Sequence, residues 1–357
     1  MQVSKQLLPE NKRKAKPTDE NKLGFGSIFT DHMLNIDYSP QNKWHNARIV
    51  PYGPLNLDPA AMVLHYGQQI FEGMKAYIGP KGEACMFRPR ANFERFLASA
   101  KRLCIPEFAV DDFMEATFEF IRTEKAWIPK APGTSLYVRP TVIATDAHLG
   151  VSPAHEYLFY VIAGPVGAYY AEGFNPVKIY VEEKYVRAAP GGLGEAKTSA
   201  NYAASLLAQE EAHLKGYTQV LWLDVRDKSS IEEVGTMNIM FLIGDELVTP
   251  ELNNSILPGV TRNSVLTLCR HWNMKVSERK ITMDELKAAY KKGELKEAFG
   301  TGTAAIISPV GEIAHVGEKM IINNGKTGPL AQKLYDEIVG IQYGMRPDPF
   351  GWVVKLD

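Results

Sequence analysis

Near the middle of the 357-residue chain, two clusters of turn residues break a succession of apolar runs: Gly164-Pro165-Val166-Gly167 and Gly173-Phe174-Asn175-Pro176. Glycine and proline at this density do not continue a strand or a helix. A chain of this length is also too long for one ordinary core. Two domains are therefore predicted, residues 25–166 and 177–357, joined by a linker over 167–176. Residues 1–24 stand apart as a leader. Its basic cluster, Lys12-Arg13-Lys14 with Lys16, is closely flanked by Glu10, Asp19 and Glu20 and reads as a solvated, flexible stretch.

Strands are predicted over Glu83–Phe87, Leu136–Thr145, Glu156–Ala163, Val177–Glu182 and Val220–Asp224. Met237–Ile243, the turn pair Gly244-Asp245 and Glu246–Thr249 read as a hairpin. Helices are predicted over Ala91–Leu103, over Asn201–Lys215 before Gly216, from near Thr261 and Met283, and from Leu330 to about Ile341. Strands and helices mix in both halves without regular alternation, which predicts an α+β fold rather than a doubly wound sheet.

Apolar residues make up 45% and charged residues 23%, the composition of a soluble globular protein. Forty basic residues nearly cancel 41 acidic ones, so overall charge gives no reason to expect nucleic acid or an anionic membrane as partner. The first twenty-five residues hold no sustained apolar run, and no later segment reads as a membrane span. Three cysteines, Cys85, Cys104 and Cys269, are too few and too scattered for a disulfide framework. The expected location is the cytoplasm, and no metal ligand set is expected.

Four stretches of the second half carry chemistry. Gly191-Gly192-Leu193-Gly194-Glu195-Ala196-Lys197 ends just before a predicted helix and Asn201-Tyr202. A lysine in a cleft held by a glycine loop and a helix loses its proton cheaply when desolvated and then attacks aldehydes. Alone, such a lysine is more often a solvated surface group. Glu232-Glu233-Val234-Gly235-Thr236-Met237-Asn238 places carboxylates at the mouth of an apolar strand, where one could pair with a cationic ring nitrogen or simply open a turn. Ile256-Leu257-Pro258-Gly259-Val260-Thr261-Arg262 runs into a helix whose first N–H groups suit a phosphate. Phe299-Gly300-Thr301-Gly302-Thr303-Ala304-Ala305 reads as a small-residue loop that a ligand could approach closely.

Together these are the parts of a pyridoxal phosphate site, and in this order they resemble the branched-chain amino acid aminotransferases of fold type IV. The first half agrees in Phe29-Thr30-Asp31-His32-Met33, Leu64-His65-Tyr66, Phe71-Glu72-Gly73-Met74-Lys75, Phe87-Arg88-Pro89 and Leu136-Tyr137-Val138-Arg139-Pro140. So does Gly164-Pro165-Val166-Gly167-Ala168-Tyr169-Tyr170, and the resemblance runs from about Phe25 to the C-terminus. It implies a two-domain enzyme with its cofactor site at the domain interface, and transamination between L-leucine, L-isoleucine or L-valine and 2-oxoglutarate.

The resemblance also assigns roles. Lys197 matches the Schiff-base lysine, Glu233 the acid on the pyridine nitrogen, and Tyr202 the phenol near the ring oxygen. Arg95, Val260, Thr261 and Thr303 match the phosphate site, with Arg187 nearby. Phe25, Tyr66, Phe71, Tyr137, Tyr169 and Thr236 match pocket-lining positions, and Ala304 and Ala305 would offer N–H groups to the substrate carboxylate. Leu149 and Val151 match a loop lent by a partner subunit, which implies a homodimer. Arg139, two residues after Tyr137 on one strand, shares its side and is placed to meet glutamate's distal carboxylate. One departure is plain. Some animal members carry a Cys-x-x-Cys pair where this chain has Ala305 and Ser308, so no thiol switch is expected there. D-amino acid aminotransferases and aminodeoxychorismate lyases share the fold and remain alternatives, as does a non-catalytic binding module.

Overall fold

The computed structural model describes residues 1–167 and 174–356. The chain forms two compact units: Met1–Tyr169 with Ala196–Ser199 and Val339–Asp357, and Tyr170–Glu195 with Ala200–Ile338. The second unit is thus shorter than the expected 177–357. Four residues around Lys197 and the last stretch of chain belong to the first unit, because strand pairing claims them.

In the first unit, strands β1 (Ser4–Lys5), β2 (His32–Ser39), β3 (Lys43–Pro51), β4 (Gln69–Phe71), β5 (Met74–Ile78), β6 (Ala84–Phe87), β7 (Ser135–Ala144) and β8 (Tyr157–Val166) share one sheet with the chain's last strand, β18 (Val353–Lys355). The order is β1-β3-β2-β8-β7-β5-β6-β18, with β4 on β7. Helices α1 (Met62–Tyr66), α2 (Pro89–Arg102) and α3 (Val110–Thr123) complete the unit. Phe93 and Phe96 of α2 and Phe113 of α3 pack with Leu136, Val138 and Val142 of β7 in one apolar core. Side chains alternate along a strand, so Tyr137, Arg139 and Thr141 face away from that core.

The leader is not the loose segment expected. Strand β1 lies parallel to β3. Lys14 donates its backbone N–H to Asp31 Oδ1 at 2.7 Å and its ammonium to Thr30 O at 2.8 Å, and Leu8 N donates to His32 Nε2 at 2.8 Å. His32 and Asp31 are buried. Buried acceptors without donors are costly, and the leader supplies them.

The second unit holds β9 (Val177–Val181), β10 (Gln219–Leu223), β11 (Ile231–Val234), β12 (Met237–Ile243), β13 (Glu246–Thr249), β14 (Lys275–Glu278), β15 (Leu295–Gly302), β16 (Ile306–His315) and β17 (Glu318–Ile321). Their order is β11-β10-β9-β16-β15-β12-β13-β14, with β17 on β16. Strand β11 also pairs with β12, so six strands from β11 to β12 close into a ring. Val177, Ile179 and Val181 of β9 are buried in its core while Lys178 is exposed. Helices α4 (Ser199–Ala203), α5 (Leu206–Leu214), α6 (Val260–His271), α7 (Met283–Lys291) and α8 (Pro329–Gln342) follow in the chain. The fold class is α+β, as expected.

Four local expectations need correction. Strand β8 runs on through Gly164-Pro165-Val166, which were expected to end it, because β7 pairs with all three. The helix over Asn201–Lys215 is two helices, because Ser205 donates both its hydroxyl (2.8 Å) and its N–H (3.2 Å) to Tyr202 O in place of a regular helical bond. Glu233 lies inside β11 rather than in a turn before a strand. Phe299–Gly302 belongs to β15, which leaves only Thr303–Ala305 as the turn before β16.

Candidate active site

In the first unit, the Lys197 segment runs beside β4. Phe71 N donates to Lys197 O at 3.0 Å, Thr198 Oγ1 to Gln69 O at 2.6 Å, and Lys197 N to Ser99 Oγ of α2 at 2.9 Å. These bonds fix the backbone of a half-buried lysine whose Nζ stands 5.1 Å from the centre of the Phe71 ring. Asn92, Arg95 and Ser99 recur at three- and four-residue spacing, so they share one face of α2. Arg95 meets Glu72 through Nε at 2.7 Å and Nη2 at 2.9 Å. Burial alone would raise the Glu72 carboxyl. The charge and hydrogen bond of Arg95, the charge of Lys197 and the Asn92 amide outweigh it and hold the group below the usual carboxylate range.

The face of β7 turned from the core carries Tyr137 and Arg139, joined by a bond of 2.9 Å from Arg139 Nη2 to Tyr137 Oη. The Arg139 guanidinium lies 4.7 Å from the Phe71 ring centre, and Phe25 meets Tyr137 edge-on at 4.9 Å. A Cβ at position 73 would come within 2.1 Å of the Tyr137 hydroxyl, so any larger residue there would displace the Tyr137 ring. Lys75 pairs in register with Tyr137 and therefore shares its face. Burial pushes the Lys75 ammonium down to about 8. Tyr66 donates to Leu149 O, and Leu149 and Val151 are 63% and 85% exposed. Tyr169 lies outside the described residues.

In the second unit, Glu233 is buried, and its carboxylate receives Arg187 Nε at 2.6 Å, Leu257 N at 2.9 Å and Asn238 Nδ2 at 3.4 Å. Arg187 also donates to Ser255 O and Gly194 O, each at 3.1 Å, which ties down the glycine loop. Its neighbour Glu232 points to the other side of β11, towards Ser255 Oγ and Asn253, and burial raises its carboxyl. Arg187, Tyr202, Ser205, Glu233, Thr236 and Leu257 line one cavity.

Asn238 also donates to Leu257 O at 2.9 Å, which holds the turn into α6. No described side chain caps that helix, and a Cβ on Gly259 would lie 2.0 Å from Asn238 Oδ1. Val260 and Thr261 form its first turn. Register sets Glu233 beside Asn238 and Asn238 beside Thr301. The turns at Gly235-Thr236 and Thr303–Ala305 therefore lie at one end of the ring. An acid held by an arginine, a phenol, an uncapped helix start and a hydroxyl-bearing turn suit a protonated pyridine ring bearing a phosphate.

The family model for amino-transferase class IV matches residues 69–313. The chain belongs to the class IV aminotransferase family. This class IV aminotransferase is 54% identical over 344 residues to branched-chain-amino-acid aminotransferase 2 of Bacillus subtilis (strain 168), covering 96% of this chain and 94% of that one. It is 50% identical to the probable branched-chain-amino-acid aminotransferase of Staphylococcus aureus (strain MRSA252), with 96% of each covered. Among solved structures, the Escherichia coli branched-chain amino acid aminotransferase matches with TM-score 0.74 and 28% identity, over 92% of this chain and 99% of that one. The branched-chain amino acid aminotransferase of T.th., complexed with N-(5'-phosphopyridoxyl)-L-glutamate, gives the same TM-score and identity, over 94% and 99%.

Within the first unit, the structure thus groups Lys197, Phe71, Arg95, Tyr137, Arg139 and Phe25. Within the second it groups Arg187, Tyr202, Glu233 and Thr236, with Thr303, Ala304 and Ala305 at the same end of the ring. Sequence reasoning gave no role to Glu72, Ser99 or Asn238. The signal for Glu72 was its place in the Phe-Glu-Gly-Met-Lys motif, and for Asn238 its place at the end of the acidic stretch.

Proposed function

We propose that this class IV aminotransferase is a branched-chain amino acid transaminase, moving an amino group between L-leucine, L-isoleucine or L-valine and 2-oxoglutarate, with pyridoxal 5'-phosphate carried on Lys197. The observation that carries this reading is identity of about half, over nearly the whole chain, with relatives that bear that name. The T.th. relative bound to a phosphopyridoxyl-glutamate supports both the cofactor and the second substrate.

Pyridoxal phosphate, when bound, supplies an electron sink through its protonated ring. Lys197 Nζ would hold the cofactor and move the proton taken from the substrate's Cα. Glu233, fixed by Arg187, Leu257 N–H and Asn238, would keep the ring nitrogen protonated. Tyr202 would face the ring oxygen, and Arg95, Val260, Thr261 and Thr303 the phosphate. Phe25, Tyr66, Phe71, Tyr137, Tyr169 and Thr236 would line an apolar pocket suited to branched side chains, and Ala304 and Ala305 would offer N–H groups to the substrate carboxylate. Leu149 and Val151 would serve the pocket of a second copy. An apolar wall alone would strand glutamate's distal carboxylate, and Arg139 with the Tyr137 hydroxyl supplies the polar end.

Steady-state formation of glutamate from 2-oxoglutarate tests the reading. L-Leucine should serve as donor and D-alanine should not; the reverse preference would mark a D-amino acid aminotransferase. Arg139→Met should slow the half-reaction with 2-oxoglutarate far more than that with leucine. Among the described residues no helix is long and apolar enough to cross a membrane, and the proposed location is the cytoplasm.

A further inference from the structure

Glu72 is a buried carboxylate between Arg95 and the strand that carries Arg139. It is 1% exposed. Its Oε1 takes Arg95 Nε at 2.7 Å, and its Oε2 takes Arg95 Nη2 at 2.9 Å, Asn92 Nδ2 at 3.0 Å and Gly73 N at 3.1 Å. Its backbone is pinned as well: Glu72 N donates to Pro140 O at 2.8 Å, and Phe71 N, one residue before, donates to Lys197 O. The same residue is therefore locked to the strand that carries Arg139 and adjoins the segment that carries Lys197.

Two consequences follow from charge and shape. A planar guanidinium gripped along its Nε–Nη2 edge cannot rotate, so its Nη1 end is aimed in one direction. The charges of Arg95 and Lys197 both act on the Glu72 carboxylate. Without that anion, the positive charges of Arg95 and Lys197 would face each other in poorly solvated surroundings.

We propose that Glu72 is a positioning residue of the cofactor site, fixing Arg95 for the cofactor's phosphate and balancing, as a buried anion, the positive charge at Lys197. The proposal rests on Lys197 carrying pyridoxal phosphate. A residue that only braced the fold would affect stability and affinity, but not the pH response of the cofactor's chromophore.

The test uses full-length wild type, Glu72→Asp and Glu72→Gln, stripped of cofactor and titrated with pyridoxal phosphate. It reads the dissociation constant and the pH midpoint of the bound cofactor's visible absorption. Glu72→Gln should weaken binding at least about tenfold and lower the midpoint by about one unit or more, the size of a lost neighbouring charge. Glu72→Asp keeps the charge but withdraws it by one methylene, so its midpoint should fall between the other two. If Glu72→Gln does not fold, the shift in Glu72→Asp decides. A midpoint unchanged in the folded variants, even with weakened binding, overturns the proposal. Failure of wild type to bind pyridoxal phosphate through Lys197 would instead overturn the functional reading beneath it.

Discussion

Glu232 and Glu233 are neighbours in sequence and opposites in surroundings. Glu233 is gripped by an arginine and two further donors, whereas burial raises the Glu232 carboxyl and its Oε2 has no partner among the described residues. Glu232 is turned towards Ser255 and Asn253, away from the Glu233 cluster, so Glu232→Gln should leave turnover within a few-fold of wild type, while Glu233→Gln lowers it by orders of magnitude. Equal losses in kcat would refute the distinction. Lys75 gives a second outcome at this scale. Its ammonium is pushed down to about 8 from 10.5, so the unfolded chain binds that proton more tightly and charged Lys75 destabilises the fold below about pH 8. This destabilisation fades as the pH rises towards 10.5. Lys75→Met should melt higher than wild type at pH 7, and the gap should narrow as the pH rises from 8 towards 10.5; a gap independent of pH would contradict the assignment. Lys197 and Glu233 could be singled out from the sequence because each sits in a short motif. Glu72, Ser99 and Asn238 could not, because their roles come from partners elsewhere in the chain, such as Arg95, Lys197 and Leu257, that only the fold brings near.

Elements were legible where local chemistry decides them. Gly244 takes the positive φ that the β12–β13 turn requires, and that hairpin forms over the residues read from the pattern. The break between α4 and α5 was hidden, because Ala204 and Ser205 suit a helix and only the Ser205 hydroxyl bond to Tyr202 O diverts the chain. The start of α8 depends on a distant strand: Glu297 of β15 accepts Leu330 N at 2.8 Å and Ala331 N at 2.9 Å. A buried carboxylate on the first N–H groups of a helix stabilises it through hydrogen bonds and the helix dipole. Glu297→Ala should lower stability by about 1–2 kcal/mol, read as a shift in the denaturation midpoint. No shift would mean that the helix start is held by other contacts.

For the whole molecule, the sequence suggested a break at the Gly/Pro-rich stretch, although β8 runs through its first cluster, and it gave no sign of the return of Ala196–Ser199 and of Val339–Asp357 to the first unit. Each return is made by strand or bridge pairing across more than a hundred residues, as in β18 on β6 and Thr198 on Ile70. No local pattern encodes such a partner. The pinned leader is a similar case, since its basic run gives no hint of the buried Asp31 it serves. Exposed Leu64, Tyr66, Leu149 and Val151 in the first unit suit burial against a second copy. Sedimentation should accordingly give twice the mass of one chain, and a monomer at micromolar concentration would refute the dimer.

The proposed transaminase chemistry turns on one lysine. The most direct test is borohydride reduction of the purified protein with its cofactor, followed by proteolysis and mass spectrometry of the labelled peptide. The phosphopyridoxyl group is expected on Lys197, in the peptide that follows Gly191-Gly192-Leu193-Gly194. A label on any other lysine, or no label at all, would contradict the assignment.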